Sequence, residues 1–376
     1  MQFNPEFYST NPAAQLLKPV NGILVATDID LQPSEVSADE ALSYLEDFSQ
    51  NRDLIQDPET GKQFEILISN RDALSDRSAE VTVELASYTS AAAFPASNSL
   101  ESIAAWLALE KATDVPQARV YASSPSMGGS DGFDLKDSLK IWRTGRVTEG
   151  DPTYSQPLPY LSALARALEA HSIKPTHATA NSAGGFYLPG LLRALPENSI
   201  KSALFLDRAA GASSFGYFEL ANRMLRGELK HMRKYEALSD DPICITAELQ
   251  ERCNQAIDRP TLLAEGSLRV RDGALKTLGQ KLLELNAYRK GADRHRGPVQ
   301  DILVAAGQQP NAKFNFYFPL HSALLGKPED IGRFLLQLVD GHIPESQLAA
   351  VTVEGTHSTK PGRPNTINAV ELLFRA

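Results

Sequence analysis

The sequence predicts an α/β protein built on a mostly parallel, doubly wound sheet, and three observations predict it. Between about residues 118 and 210, apolar strand-like runs alternate with amphipathic helical ones. Such alternation makes a parallel sheet with right-handed crossovers and helices on both faces. Within it, a strand-like run over 176–180 meets the turn Asn181-Ser182-Ala183, and an apolar helix then opens on Gly184-Gly185. Residues 212 to about 308 break the pattern and read as helices alone.

Taken in order, residues 1–21 are polar and predict an extended arm. Residues 22–31 contain Ile23, Leu24 and Val25 and alternate afterwards, which predicts a strand. Ala41, Leu42, Leu45 and Phe48 lie at helical spacing and predict an amphipathic helix over 37–54, with Ser37 as its cap. The run Asp57-Pro58-Glu59-Thr60-Gly61 is turn chemistry. Strands are expected over 64–69 and 80–86, and a helix over 99–111 with Ile103, Ala104, Trp106 and Leu107 inward. A strand at 118–123, a helix at 160–171, the strand before Ser182, its following helix and a strand at 200–206 complete the alternation. The break holds helices at 217–235, 245–257, 275–287 and 299–306. A strand at 314–318 returns the chain to the sheet, and an amphipathic segment at 369–374 closes it.

Ser182 is the residue with the most chemical meaning. Ala180 and Gly184, both small, lie two positions to either side of it. That spacing lets the chain turn so sharply that the hydroxyl stands clear of the sheet at a helix N-terminus, and the next backbone N–H points at whatever the serine attacks. This resembles the nucleophile elbow of the α/β-hydrolases, with Ala180 in the first glycine position. Other segments are similar to that family in the same order. Arg119-Val120 leads to Gly128, Gly129 and Ser130-Asp131, an apolar run ends at Asp207, and a late strand leads to His357, then Arg363-Pro364. The resemblance covers roughly residues 80–210 and 313–376. It implies a hydrolase core over 61–211 and 309–376, with an arm, strand and helix over 1–60 packed on it. It also implies a helical cap over 212–308.

The resemblance further implies a Ser-His-acid triad in that chain order. A serine hydroxyl needs a base as it attacks, and imidazole titrates nearest working pH and can return the proton to the leaving group. His357 is the expected base, with His321, which also follows a strand, as its main rival. A carboxylate must accept from the imidazole to hold its tautomer. Two candidates stay open: Asp330, 27 residues before His357, and Asp207, at the end of the preceding strand. The oxyanion hole needs two preorganised N–H donors. Ala183 is expected to supply one. Tyr88 or Thr89 is expected to supply the other, because Ser87-Tyr88-Thr89-Ser90 stands where the family often has His-Gly.

The implied activity is cleavage of a carboxylic ester, thioester or amide in a small-molecule substrate through an acyl-enzyme. A non-hydrolytic enzyme of the same fold, such as a lyase or acyl transferase, and a non-catalytic binding protein on that scaffold remain alternatives. A formal charge of −9 argues against a general nucleic-acid or anionic-membrane partner. The basic residues are concentrated in 221–296, with 15 Lys/Arg against 11 Asp/Glu, either as a solvated helical surface or as an entrance favouring anionic substrates. His-x-x-x-His and Cys-x-x-Cys spacings are absent, and Gly128-Gly129 lacks the lysine of a phosphate loop, so neither metal nor cofactor is expected. Cys244 and Cys253 exclude a disulfide framework. With no signal-like N-terminus and no run of ~18 apolar residues, the expectation is a cytoplasmic protein without a membrane span; a homo-oligomer is left open.

Overall fold

The computed structural model describes residues 14–29, 40, 43, 51–86, 115–133, 158–182, 184–207, 222, 297–320, 322 and 328–353. Their strands are β1 (Ala14–Val20), β2 (Ile23–Ile29), β3 (Arg52–Gln56), β4 (Gln63–Ser69), β5 (Glu80–Leu85), β6 (Gln117–Ala122), β7 (His177–Asn181), β8 (Ser202–Leu206), β9 (Lys313–Pro319) and β10 (Leu348–Val353). Four α-helices of eight or more residues accompany them: α1 (Leu158–Ala170), α2 (Gly184–Ala194), α3 (Gly297–Gln308) and α4 (Pro328–Asp340).

All ten strands join one sheet in the order β2-β1-β10-β9-β8-β7-β5-β6-β4-β3. From β5 and β6 through β7, β8 and β9 to β10 the pairing is parallel. β4 runs against both its neighbours, and the β1–β2 hairpin adds antiparallel strands beyond β10. Strands β3 to β10, with the β5/β6 inversion and the reversed β4, make up the sheet of the α/β-hydrolase fold. The connections through α1, α2, α3 and α4 all step the same way across it, so right-handed crossovers stack these helices on one face. Leu164, Leu168, Leu188, Leu191, Ile302, Ile331 and Leu335 pack there on Val83, Val120, Ala178, Ala180, Phe205 and Phe316. Phe205 and Phe316 stack with centroids 5.0 Å apart, and the Phe334 ring of α4 meets Phe316 edge-on at 5.1 Å.

The structure departs from the sequence reading in four places. Residues 14–20, expected in the polar arm, form β1. The signal is Asn21-Gly22, whose φ angles of 52° and 75° suit a two-residue hairpin turn between Val20 and Ile23. Both N–H groups of that turn donate to the Glu345 carboxylate, at 2.8 and 2.6 Å. Second, the helix expected over 37–54 cannot reach its end, because Arg52–Gln56 pairs with residues 63–67 across the Asp57 turn. That hairpin overrides the helical spacing, although Glu40 and Ser43 are helical. Third, α4 is a helix the sequence reading does not include, with Ile331, Phe334, Leu335 and Leu338 as its buried stripe. Fourth, α3 lies within the span expected as a cap, yet its Ile302 and Ala305 belong to the core. Apart from Asn222, the rest of the expected cap lies outside the described residues, as do the helix over 99–111 and the segment 369–374.

One buried tie secures the first hairpin to the helix layer. Asp57 is fully buried at the β3–β4 turn and receives Arg166 of α1 in a two-pronged pair, Nε at 2.8 Å and Nη2 at 2.7 Å. Arg166 first, then Thr60 and the Glu59 N–H, hold the Asp57 carboxyl well below its ordinary value of 3.8, against the opposing effect of burial. A folded-state value below the unfolded one means stability that is complete above about pH 5 and is lost as pH falls through and below about 4. Asp57→Asn is therefore expected to lower the unfolding free energy by about 1–3 kcal/mol at pH 7, with a smaller gap from wild type at pH 3. Urea titrations of both proteins at the two pH values check this. An equal gap at both would show that the charge contributes nothing.

Candidate active site

Ser182 follows the last residue of β7 and has a φ of 52°. Left-handed backbone costs a residue with a side chain roughly 1–2 kcal/mol, so the surrounding structure must impose it. Two constraints do so. From one side, the Ser182 N–H donates to the Leu206 carbonyl at 2.9 Å, pinning the turn to the end of β8. From the other, Gly184 opens α2 directly against the end of β5. A Cβ on Gly184 would lie 2.3 Å from the Leu85 carbonyl oxygen and 2.8 Å from that of Ala86. No other residue type allows that approach. The Gly185 N–H then donates to the Ser182 carbonyl at 3.0 Å, starting the helix. Ser182 itself is 9% exposed, at the N-terminal end of α2, where a developing negative charge is favoured.

The adjoining strand ends bring further groups to this edge. Asp207 follows β8, also with a left-handed φ, of 44°. Its N–H donates to the Tyr317 carbonyl at 2.8 Å. Its buried carboxylate accepts the Ser322 hydroxyl at 2.7 Å. Because Asn181 is in register with Leu206, Ser182 and Asp207 leave adjacent strands side by side, about 5 Å apart in backbone spacing. Farther along the edge, the Leu320 N–H donates to the Val353 carbonyl at 2.8 Å, so the chain leaves β9 and β10 together. Asp330 sits in the first turn of α4, partly exposed, with one carboxylate oxygen 2.9 Å from Arg333 Nη1. The expected site residues His357, Ala183, Tyr88 and Thr89, and the rival His321, lie outside the described residues.

The three described histidines are all at the opposite, amino edge of the sheet. His171 and His342 follow the ends of α1 and α4, just ahead of β7 and β10. His177 begins β7, four residues before Asn181, with its Nε2 3.2 Å from Glu80. His177 first, then Lys201 and Gln117, keep the Glu80 carboxyl far below the usual carboxylate range. None of these histidines can serve Ser182.

The loop that leaves β6 has a structural explanation. The buried Glu65 of β4 occupies the space where a Cβ on Gly128 would stand, with both carboxylate oxygens 2.6 Å away. Gly128 also has a φ of 56°. The Glu65 N–H donates to Ser130 Oγ at 2.8 Å, and the Gln63 N–H to the Asp131 carboxylate at 2.7 Å. Arg52 pairs with Glu65 at 2.7 Å. The Gly-Gly-Ser-Asp run thus ties the exit of β6 to β4. Sequence reasoning missed Ser322, which sits in a run with no marker of its role. Among the described residues, no group of three or more His, Cys, Asp or Glu side chains could hold a metal ion, and no helix is long and apolar enough to cross a membrane.

No family model and no curated protein matches the chain. Solved structures do resemble it, and several are esterases or hydrolases. The esterase Pf2001 of Pyrococcus furiosus is 12% identical, covering 86% of this chain and 88% of its own, with a TM-score of 0.44. The 2-hydroxy-6-oxo-6-phenylhexa-2,4-dienoate hydrolase of Rhodococcus sp. strain RHA1 is 14% identical over 86% of this chain and 100% of its own, with a TM-score of 0.46. The esterase RhEst1 of Rhodococcus sp. ECU1013 is 11% identical over 86% and 98%, with a TM-score of 0.40. Likeness at this level says nothing about substrate or residue roles.

The packing of Gly184 makes an unusual prediction. Replacing a helical glycine by alanine ordinarily stabilises by about 1 kcal/mol. Here Gly184→Ala is expected to destabilise by about 1–3 kcal/mol, because the methyl meets fixed carbonyls. Thermal melts measure it, and a variant as stable as wild type would contradict the close approach.

Proposed function

We propose that the protein is a serine hydrolase that cleaves a carboxylic ester through an acyl-enzyme, with Ser182 as nucleophile, His357 as base and Asp207 as acid. The observation that carries this reading is the left-handed Ser182, clamped between the end of β8 and the Leu85 and Ala86 carbonyls at the start of α2. Strain held at a serine directly past a parallel strand and just ahead of a helix is what a nucleophile at a sharp strand-to-helix corner requires.

The base is reached by chain length. β7 and β10 are three strand spacings apart, about 14 Å. His357 follows Val353 by four residues, and four extended residues span about 14 Å. That reach lets His357 serve Ser182, the described histidines stand at the amino edge, and the position after the last strand, in the chain order the resemblance implies, favours His357 over His321. Asp207 is preferred to Asp330 as the acid because it is buried, adjoins Ser182 and already holds a hydroxyl partner in Ser322. Asp330 instead faces the exposed Arg333 in the first turn of α4.

In this reading Ser182 Oγ attacks the ester carbonyl as His357 takes its proton. The oxyanion is met by the Ala183 N–H and by a donor at Tyr88 or Thr89, just past the Ala86 carbonyl that touches α2. The tetrahedral intermediate collapses, His357 returns the proton to the leaving alcohol, and water repeats the sequence to release the acid.

Hydrolysis of short p-nitrophenyl esters tests the reading. Ser182→Ala and His357→Ala are each expected to remove nearly all turnover, and the double variant to lose no more than either alone, because the two act as a unit. Multiplicative losses would break the pairing. For the acid, Asp207→Asn is expected to lower kcat by roughly 10³–10⁴ and Asp330→Asn by little. The reverse pattern moves the acid to α4, and two mild effects remove both candidates.

A further inference from the structure

Below the elbow, the face of the sheet turned away from α1–α4 carries charge at its centre. Val83, Leu85, Val120, Ala178 and Ala180 belong to the apolar cluster under the helices, so the alternate residues Glu84, Arg119 and Thr179 face the other way. Arg119 of β6 pairs with Glu84 Oε2 of β5, the two side chains being 5% and 4% exposed. The same oxygen accepts the Thr179 hydroxyl of β7 at 3.3 Å. Glu84 is in register with Tyr121 and Thr179, while Arg119 is in register with Thr82 and reaches diagonally. One carboxylate oxygen therefore ties three adjacent strands.

Such a tie is poorly explained by stability. Two charges removed from water lose solvation that their attraction only partly returns, and well-packed apolar replacements are often neutral or stabilising. Its location points elsewhere. Glu84 immediately precedes Leu85 and Ala86, whose carbonyls set the position of Gly184 and so of the α2 N-terminus. Thr179 lies three residues before Ser182 on the strand that delivers it. Resting on the hydrolase reading above, we propose that Glu84, held by Arg119, is a positioning residue. It fixes the end of β5 against β7, so that Ser182 and the N-terminus of α2 keep one geometry toward the carbonyl group under attack. A shift of tenths of an ångström between these strands would separate nucleophile from oxyanion donors while leaving substrate binding intact.

The test uses Thr179→Val, which cuts only the link to β7, and the triple variant R119M/E84M/T179V, which replaces the whole tie with apolar side chains. Ester kinetics, thermal melts and the rate of modification by a fluorophosphonate are measured on each. The triple variant is expected to melt at or above the wild-type temperature, with kcat and the modification rate lowered roughly tenfold to a hundredfold and KM little changed. Thr179→Val is expected to lose several-fold in kcat at unchanged melting temperature, and it decides the matter if the triple variant does not fold or melts lower. Wild-type kcat in a folded triple variant, or in Thr179→Val where that decides, overturns the positioning role alone. A wild-type protein that neither turns over esters nor reacts with the fluorophosphonate overturns the hydrolase reading, and this inference with it.

Discussion

The contact of Gly184 with the carbonyls of Leu85 and Ala86 is the constraint from which the rest of the carboxyl edge follows. A helix that starts this close to the neighbouring strand leaves only Ser182 and Ala183 between β7 and its first turn. Ser182 makes this corner through left-handed backbone. The hydrogen bond to the Leu206 carbonyl closes the corner from the β8 side. Strain at one residue is thus held in place by a packed core on one side and two strand ends on the other, which is the condition under which it persists.

The two faces of the central strands divide the work. Toward the helices, small residues in β7 (Ala178, Ala180) let α1 and α2 approach, and the stacked rings of Phe205 and Phe316, with Phe334 edge-on to Phe316, fill the wider part of the layer. Gln309 joins that layer to the sheet: its amide donates to the Leu192 and Pro196 carbonyls and accepts the Ile200 N–H. On the other face the centre is polar, with Glu84, Arg119 and Thr179 on adjoining strands and His177 with Glu80 at the amino edge. Charge at the middle of a sheet is expensive, and here it sits beneath the strand ends that shape the elbow.

Much of this was legible in the sequence, for a physical reason. Ser182 was readable because a sharp strand-to-helix corner needs small neighbours, and Ala180 and Gly184 are small. Strand β8 was readable because both its faces are buried and residues 203–206 form a continuous apolar run, whereas β5, β6 and β7 alternate apolar with polar residues. Strand β1 was hidden by its polar neighbours, although Asn21-Gly22 carries the turn chemistry that makes it. The β3 strand was hidden because a two-strand hairpin around Asp57 competes with helical spacing that continues into it. Ser322 and the Arg119–Glu84 pair have no local pattern: their meaning comes only from strands brought together across 115 and 35 residues of sequence.

Ser182, presented by the strained corner, is the proposed nucleophile. Reaction of the native protein with a fluorophosphonate, followed by peptide mass mapping, tests it directly. One adduct per chain is expected, on Ser182, formed by the folded protein and absent after thermal unfolding. No adduct on the folded protein, or an adduct on another residue with Ser182 unmodified, would contradict it.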